Sequence, residues 1–252
     1  MIIYRKALLR IAETWFDEEA HGARVDIVRR LQHPTPIAEA KCTPFHTILM
    51  DLKDDPDLLF AKMKRETRYE IRRAGEKDGL THEVWITADC GCLAQFLSFY
   101  DECVILNGLP KIKGVRLQKL AEAGSLSLSL VRGEAVVPFV WHAYYCAGRR
   151  VRLLHSASFG RDLDGSSKSL LGRANRYHHW KDVLTFRAQG IQIYDFGGWY
   201  DGHSDPKRLS INKFKEGFGG QIVLNYNCVQ GLTRIGKAAI WLYTRMLRRD
   251  PN

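Results

Sequence analysis

A lysine set between two aromatic residues and followed by glycines, Asn212-Lys-Phe214-Lys215-Glu-Gly-Phe218-Gly-Gly220, is the stretch of the sequence with the clearest chemical use. A compact cation held beside a bound acyl group stabilises a developing oxyanion. The competing reading is a short helix that buries Phe214 and Phe218 and leaves Lys213 and Lys215 in water. Upstream, Ile193-Tyr-Asp-Phe-Gly-Gly198 is a strand pattern that runs into two glycines, where backbone can approach a ligand closely. Asp195 points to the face opposite Phe196 and either orients an attacking amine or holds the loop. A third cluster, Lys62-Met-Lys-Arg-Glu-Thr-Arg68-Tyr-Glu-Ile-Arg72-Arg-Ala74, has helical spacing. At about 100° per residue, Arg65, Arg68 and Arg72 fall within about 60° of one another. Such a row suits bidentate capture of phosphate oxygens, or else forms a solvated face paired with Glu66, Glu70 and Glu76.

Other motifs are partial or missing. The acyl-CoA acyltransferases of the GNAT superfamily hold pyrophosphate on the amides of a helix start, with a Gln/Arg-x-x-Gly-x-Gly/Ala signature. Ser169-Leu-Leu-Gly172-Arg-Ala174 has the second half of that signature, which nominates Gly172 and Ala174 for the donor's phosphates. There is no Gly-x-Ser-x-Gly, Walker loop, HExxH or Rossmann glycine triplet. His178 and His179 are adjacent, so on a helix they point about 100° apart and make a poor chelate. Cys90 and Cys92 lack the spacing and partners of a zinc knuckle, so no metal is expected. The six cysteines are scattered without a disulfide pattern and are expected to be reduced.

These groups need elements to position them. From Asp55 a helix is expected to bury Phe60, Met63, Thr67, Ile71 and Ala74 and to end at Gly79, with a strand over 80–87. Helical patterns follow at 94–105 and 115–123. Three β-rich runs, 125–131, 135–145 and 151–158, are separated by Arg132-Gly-Glu134 and Ala147-Gly-Arg149 and predict an antiparallel meander. A helix over 169–189 leads into the strand 191–196. A short helix at 209–217, a strand at 221–228 and a terminal helix from Leu232 to Arg249 complete the order. The expected fold class is mixed α/β, a twisted mixed sheet flanked by helices. The organisation is one domain, with an edge segment at 1–47, a core at 48–230 and a basic helix at 231–252. That helix has an apolar stripe of Leu232, Ile235, Ala239, Leu242 and Met246, and Arg234, Lys237, Arg245, Arg248 and Arg249 carry its charge.

The 252 residues carry a formal charge of +10, more than solubility needs, which favours polyanionic partners. No signal peptide and no run of the roughly 20 apolar residues that span a bilayer is present, so a cytoplasmic location is expected.

Taken in order, the segments resemble the FemABX family of GNAT-related enzymes, which build peptidoglycan cross-bridges from aminoacyl-tRNA. The carrying pieces are Thr47-Ile-Leu-Met-Asp-Leu52, the arginine helix and Gly79. They continue with His155-Ser-Ala-Ser158, Asn175, Trp180, Tyr194-Asp-Phe-Gly-Gly198 and Phe214-Lys-Glu-Gly-Phe-Gly-Gly220. The resemblance spans about residues 45–228. FemABX proteins have two tandem GNAT-like units, whereas this chain has room for one plus a reduced partner within residues 1 to about 120.

The resemblance implies an N-acyltransferase acting on a cell-envelope precursor. Phe214 and Lys215 match the aromatic–lysine pair that meets the aminoacyl end of the donor. Catalysis is expected from Lys215 and Asp195. Substrate contact is expected from Phe214, Arg65, Arg68, Arg72, Gly197, Gly198, Tyr194 and His155. No permanent cofactor is implied; the donor is aminoacyl-tRNA or acyl-CoA. The partners are that anionic donor, the precursor and, peripherally, the anionic inner face of a membrane, but not DNA. The alternatives are an acyl-CoA-dependent enzyme acting on an amino sugar, and a non-catalytic RNA- or membrane-binding module.

Overall fold

The computed structural model describes residues 1–20, 22–108, 110–133, 138–159 and 165–249. The expected residues 134–137 of the second meander strand and its preceding turn lie outside them, as do the side chains of Met246, Arg248 and Arg249. The chain divides into two compact units, Ile48–Ile222 and the pairing of Met1–Thr47 with Val223–Asn252. Residues 223–230, expected in the core, therefore belong with the N-terminal segment. The reduced partner does not extend to residue 120.

The smaller unit contains β1 (Ile2–Lys6), β2 (Leu9–Trp15), β3 (Ile27–His33) and most of β10 (Gln221–Gly231), in the order β1-β2-β3-β10. β2 and β3 are parallel; the other neighbours are antiparallel. Cys42 on β4 (Lys41–Asp51) and Cys228 on β10 form a disulfide across 186 residues of sequence. This corrects the expectation of six reduced cysteines: long-range strand placement, invisible in Cys spacing, brings the two together. The helix α7 (Arg234–Arg249) closes this unit.

In the larger unit the strand order is β4-β9-β8-β7-β6-β5, with β5 (Thr81–Trp85), β6 (Leu126–Arg132), β7 (Pro138–Ala147), β8 (Arg150–Ser158) and β9 (Ile193–Gly198). β6 to β8 form the antiparallel meander, β5 pairs antiparallel with β6 at its edge, and β9 is parallel to β8. The helix α5 (Gly165–Ala188) buries Ala174, His178, Asp182 and Phe186, four residues apart, with His179 and Val183 beside them. Its apolar neighbours include Tyr144, Val151, Tyr194, Phe196 and Phe218. Helices α3 (Cys90–Asn107) and α4 (Gly114–Glu122) follow β5.

The single helix expected from Asp55 is two, α1 (Pro56–Ala61) and α2 (Arg65–Lys77). Asp55 caps the first through Leu58 N, with proline in the first turn. Lys64 is extended, and its N–H donates to Gly217 O at 2.9 Å rather than continuing a helix. The buried stripe Met63, Thr67, Ile71 and Ala74 is as the spacing predicts.

Candidate active site

β8 and β9 are paired only at Arg150–Ile193, Val151–Tyr194 and Arg152–Asp195. β9 then turns at Gly197, whose φ of +76° favours glycine and where a Cβ would stand 3.0 Å from Leu153 O. The carboxyl ends of two parallel strands, one of them turning away, are where α/β sheets open to ligands. The helix α6 (Pro206–Glu216) faces this end. Asn212 Oδ1 accepts from Tyr200 N at 3.0 Å, and its Nδ2 donates to Tyr200 O at 2.6 Å. Glu216 Oε1 accepts from Trp199 Nε1 at 3.1 Å. Lys215 Nζ donates to Gly198 O at 2.6 Å. Asn212, Lys215 and Glu216 share one helix face at spacings of three and four, while Lys213 is exposed.

Burial, then the positive charge of Arg152, pushes the Lys215 ammonium down to about 8, against the opposing pull of Asp195. Asp195 itself is fully buried; it accepts from Arg150 Nη2 and, at 2.8 Å, from Gly197 N. Its geometry is that of a residue holding the glycine turn and an arginine. His155 lies edge-on to Tyr100, with ring centroids 5.7 Å apart. Burial, Arg116 and Arg152 push its imidazole down to about 4, so it is neutral at ordinary pH. Phe214 packs on Phe218, and the Arg176 guanidinium lies 4.9 Å from its ring centre.

Lys215, Gly197, Gly198 and Asp195 are thus brought together. Arg150 and Arg152 join them, which sequence reasoning missed; their signal was two arginines on alternate positions of a strand in register with Asp195.

Other expected site residues are placed differently. Arg68 donates through Nη1 to Ala61 O at 2.7 Å and Met63 O at 2.9 Å, carbonyls freed where α1 ends, so its charge closes a helix break. The Arg72 guanidinium lies 5.1 Å from the Phe60 ring centre, and Arg65 is exposed. The row does not converge into one phosphate grip. Gly172 and Ala174 are inside α5 rather than at its start, where amides are committed to carbonyls of the preceding turn; Ala174 is also fully buried. They do not form a pyrophosphate cradle. Tyr194 is fully buried, with its hydroxyl committed to the interior, so it presents no surface to a substrate.

That interior is a polar network under α5. Asp182 accepts from His82 Nε2 at 2.8 Å, His142 Nδ1 at 2.9 Å and Tyr144 OH at 2.5 Å. Burial opposes its ionisation, but His178 and the bonds from His142 and His82 hold its carboxyl well below the usual range. His178 Nε2 is 2.7 Å from Ser129 Oγ, and its ring stacks on His142 at 3.8 Å. Tyr144 OH is 2.6 Å from Tyr194 OH, which is 2.7 Å from His179 Nδ1. Among the described residues His82, His178 and Asp182 offer ligand atoms within 4.8 Å of one another, close enough for a cation; in this structure the Asp182 carboxylate already lies within hydrogen-bond distance of His82 Nε2, His142 Nδ1 and Tyr144 OH.

No family model matches the sequence, and no curated protein matches it. Among solved structures, the fold is similar to FemX, with a TM-score of 0.57 and 16% identity over 72% of this chain and 61% of that one. It is also similar to the C-terminal (DUF2156) domain of a putative lysylphosphatidylglycerol synthetase from Agrobacterium fabrum, with a TM-score of 0.50 and 13% identity over 84% and 70% of the two chains. L-PGS from Bacillus licheniformis gives a TM-score of 0.50 and 13% identity over 89% and 74%. The chain therefore has the expected FemABX-like mixed α/β fold and spans 61% of the length of FemX.

Proposed function

We propose that the protein is an N-acyltransferase that moves an aminoacyl or acyl group from an anionic, activated donor to an amine of a cell-envelope precursor, a peptidoglycan or polysaccharide intermediate. The observation that carries this reading is Lys215, partly buried on the Gly198 carbonyl beside Arg152, at the open end of parallel strands in a FemX-like fold.

The amine attacks the ester or thioester carbonyl, and a tetrahedral oxyanion forms. A group titrating near 8 is mostly charged at neutral pH, and in partly desolvated surroundings that charge acts more strongly than in water. Lys215 and Arg152 supply positive charge to the oxyanion or to the donor's phosphates. Phe214 packs against the donor. Asp195 acts through others, holding Gly197 and Arg150. The exposed Arg65 serves the anionic part of a substrate. His155, neutral and next to Arg152, lines the substrate side.

The basic helix α7 suits a peripheral contact with an anionic membrane that carries a lipid-linked acceptor. Ile235, Trp241, Leu242 and Tyr243 are all more than half exposed on it, together with Arg234, Lys237 and Arg245. Among the described residues no helix is long and apolar enough to cross a membrane.

The test is mass spectrometry of an acceptor amino sugar or peptidoglycan precursor after incubation with the protein and either aminoacyl-tRNA or acyl-CoA. A product heavier by one acyl residue is expected, and titration calorimetry with CoA tells the donors apart. Steeply salt-dependent RNA or liposome binding with no acyl product would replace this reading with a binding module.

A further inference from the structure

One face of α6 holds the chain that leaves β9, residue by residue. Lys215 Nζ donates to Gly198 O, Glu216 Oε1 accepts from Trp199 Nε1, and the Arg208 guanidinium lies 5.2 Å from the ring centre of Tyr200. Asn212 stands at the middle of this face, three residues from Lys215 and four from both Arg208 and Glu216. It is 4% exposed and gives its whole amide to one residue: Oδ1 accepts from Tyr200 N at 3.0 Å and Nδ2 donates to Tyr200 O at 2.6 Å. A neighbouring strand exchanges the same two bonds with the residue opposite it, so α6 supplies by side chain what a sheet supplies by backbone. The loop beyond folds back on the residue so held, because a Cβ on Gly202 would stand 2.3 Å from Cζ of the Tyr200 ring.

The amide is matched to this task. Aspartate accepts but does not donate, leucine does neither, and glutamine is one methylene longer. Lys215, by contrast, reaches Gly198 on a long flexible stem, so its ammonium keeps its place only while Gly198 and α6 keep theirs. An ammonium has three N–H donors, and Gly198 O takes one of them.

Resting on the acyl-transfer reading, we propose that Asn212 is a positioning residue: by clasping Tyr200 it fixes the chain at Gly198 against α6, and so aims the remaining N–H groups of Lys215 at the acyl carbonyl or the donor's phosphates. Asn212 itself touches no reactant. The charged and titratable groups that act on Lys215 are Arg152 from β8, Asp195 from β9 and His179 from α5, and the Asn212 amide is bonded to none of them. Replacing Asn212 with another neutral residue removes no charge from the site. A change in how Lys215 titrates therefore reports a change in where it sits.

Asn212→Leu, close in shape but without either bond, tests this in the full chain. Followed by NMR of its ammonium, Lys215 should titrate above the wild-type value of about 8, because the burial that lowers it is relaxed. The alkaline fall in rate should move up with it, and kcat at neutral pH should drop by about 10- to 10²-fold with KM changed less. In a Lys215→Met background the same substitution should lower kcat by less than about threefold, since the group it positions is gone. Asn212→Ser, smaller and also neutral, gives the same readouts if the leucine variant does not fold. A folded variant in which Lys215 still titrates near 8 and kcat stays within about threefold of wild type overturns the inference. An equal loss with and without Lys215 overturns it too. A wild type inactive with every donor would sink the acyl-transfer reading, and the Lys215 titration would then decide by itself whether Asn212 holds the lysine in place.

Discussion

The arginine face of α2 and the interior shared by α5, β9 and α6 make opposite impressions in sequence and in structure. The arginines are conspicuous as letters, three guanidiniums on one side of a helix. In the fold, one closes the end of α1, one lies over Phe60 and one is exposed. The interior is quiet in sequence, two adjacent histidines and a tyrosine, yet it links Asp182 to His179 through Tyr144 and Tyr194. What a polar side chain can do depends on whether its bonding capacity is already committed, and residue type and spacing do not report that.

The largest effect that separates the two regions is on stability. Asp182→Leu leaves His82, His142 and Tyr144 facing an apolar group, and breaking a buried charged cluster costs about 3–5 kcal/mol. A melting temperature roughly 10 °C lower is expected by calorimetry. A change of less than about 2 °C would mean that the cluster is no more than packing. Next in size, Arg68→Gln should cost about 1 kcal/mol through its two carbonyl bonds, the partly exposed guanidinium being screened. Arg65→Gln should leave the melting temperature unmoved and raise KM more than it lowers kcat. Loss of stability in Arg65→Gln, or equal falls in kcat and kcat/KM, would reverse the roles given to the two arginines. The smallest effect lies outside both regions: thiol titration of the unfolded, unreduced chain should count four free cysteines, Cys90, Cys92, Cys103 and Cys146. A count of six would remove the Cys42–Cys228 bond.

Much of the fold was legible because it is written in local periodicity and punctuation. The meander, α5, β9 and α6 lie within a few residues of where alternation, helical spacing and glycines put them. The break between α1 and α2 was hidden, because the buried stripe runs on through Met63 and Thr67 while a distant carbonyl, that of Gly217, takes the Lys64 N–H. Of the site, helix geometry said that Lys213 and Lys215 point apart, and the choice of Lys215 came from the resemblance to FemABX; in the structure its Nζ meets Gly198 O. Arg150 and Arg152 were not legible, because their meaning depends on the register of β8 with β9. The partnership of His82 with Asp182 spans 100 residues and has no local signature.

The central claim is that Lys215 brings charge to the reacting group, and paired kinetics of Lys215→Met and Lys213→Met test it most directly. Removing one preorganised positive group from an oxyanion costs about 3–4 kcal/mol, so Lys215→Met should lower kcat by about 10²- to 10³-fold, with Lys213→Met near wild type. Because the ammonium is the working form and burial brings its pKa down to about 8, the wild-type rate should fall as pH rises through that value. The Lys215→Met variant should lose that limb. Similar small effects from both substitutions at an unchanged melting temperature would contradict the account, leaving Lys215 as a residue that merely ties α6 to Gly198.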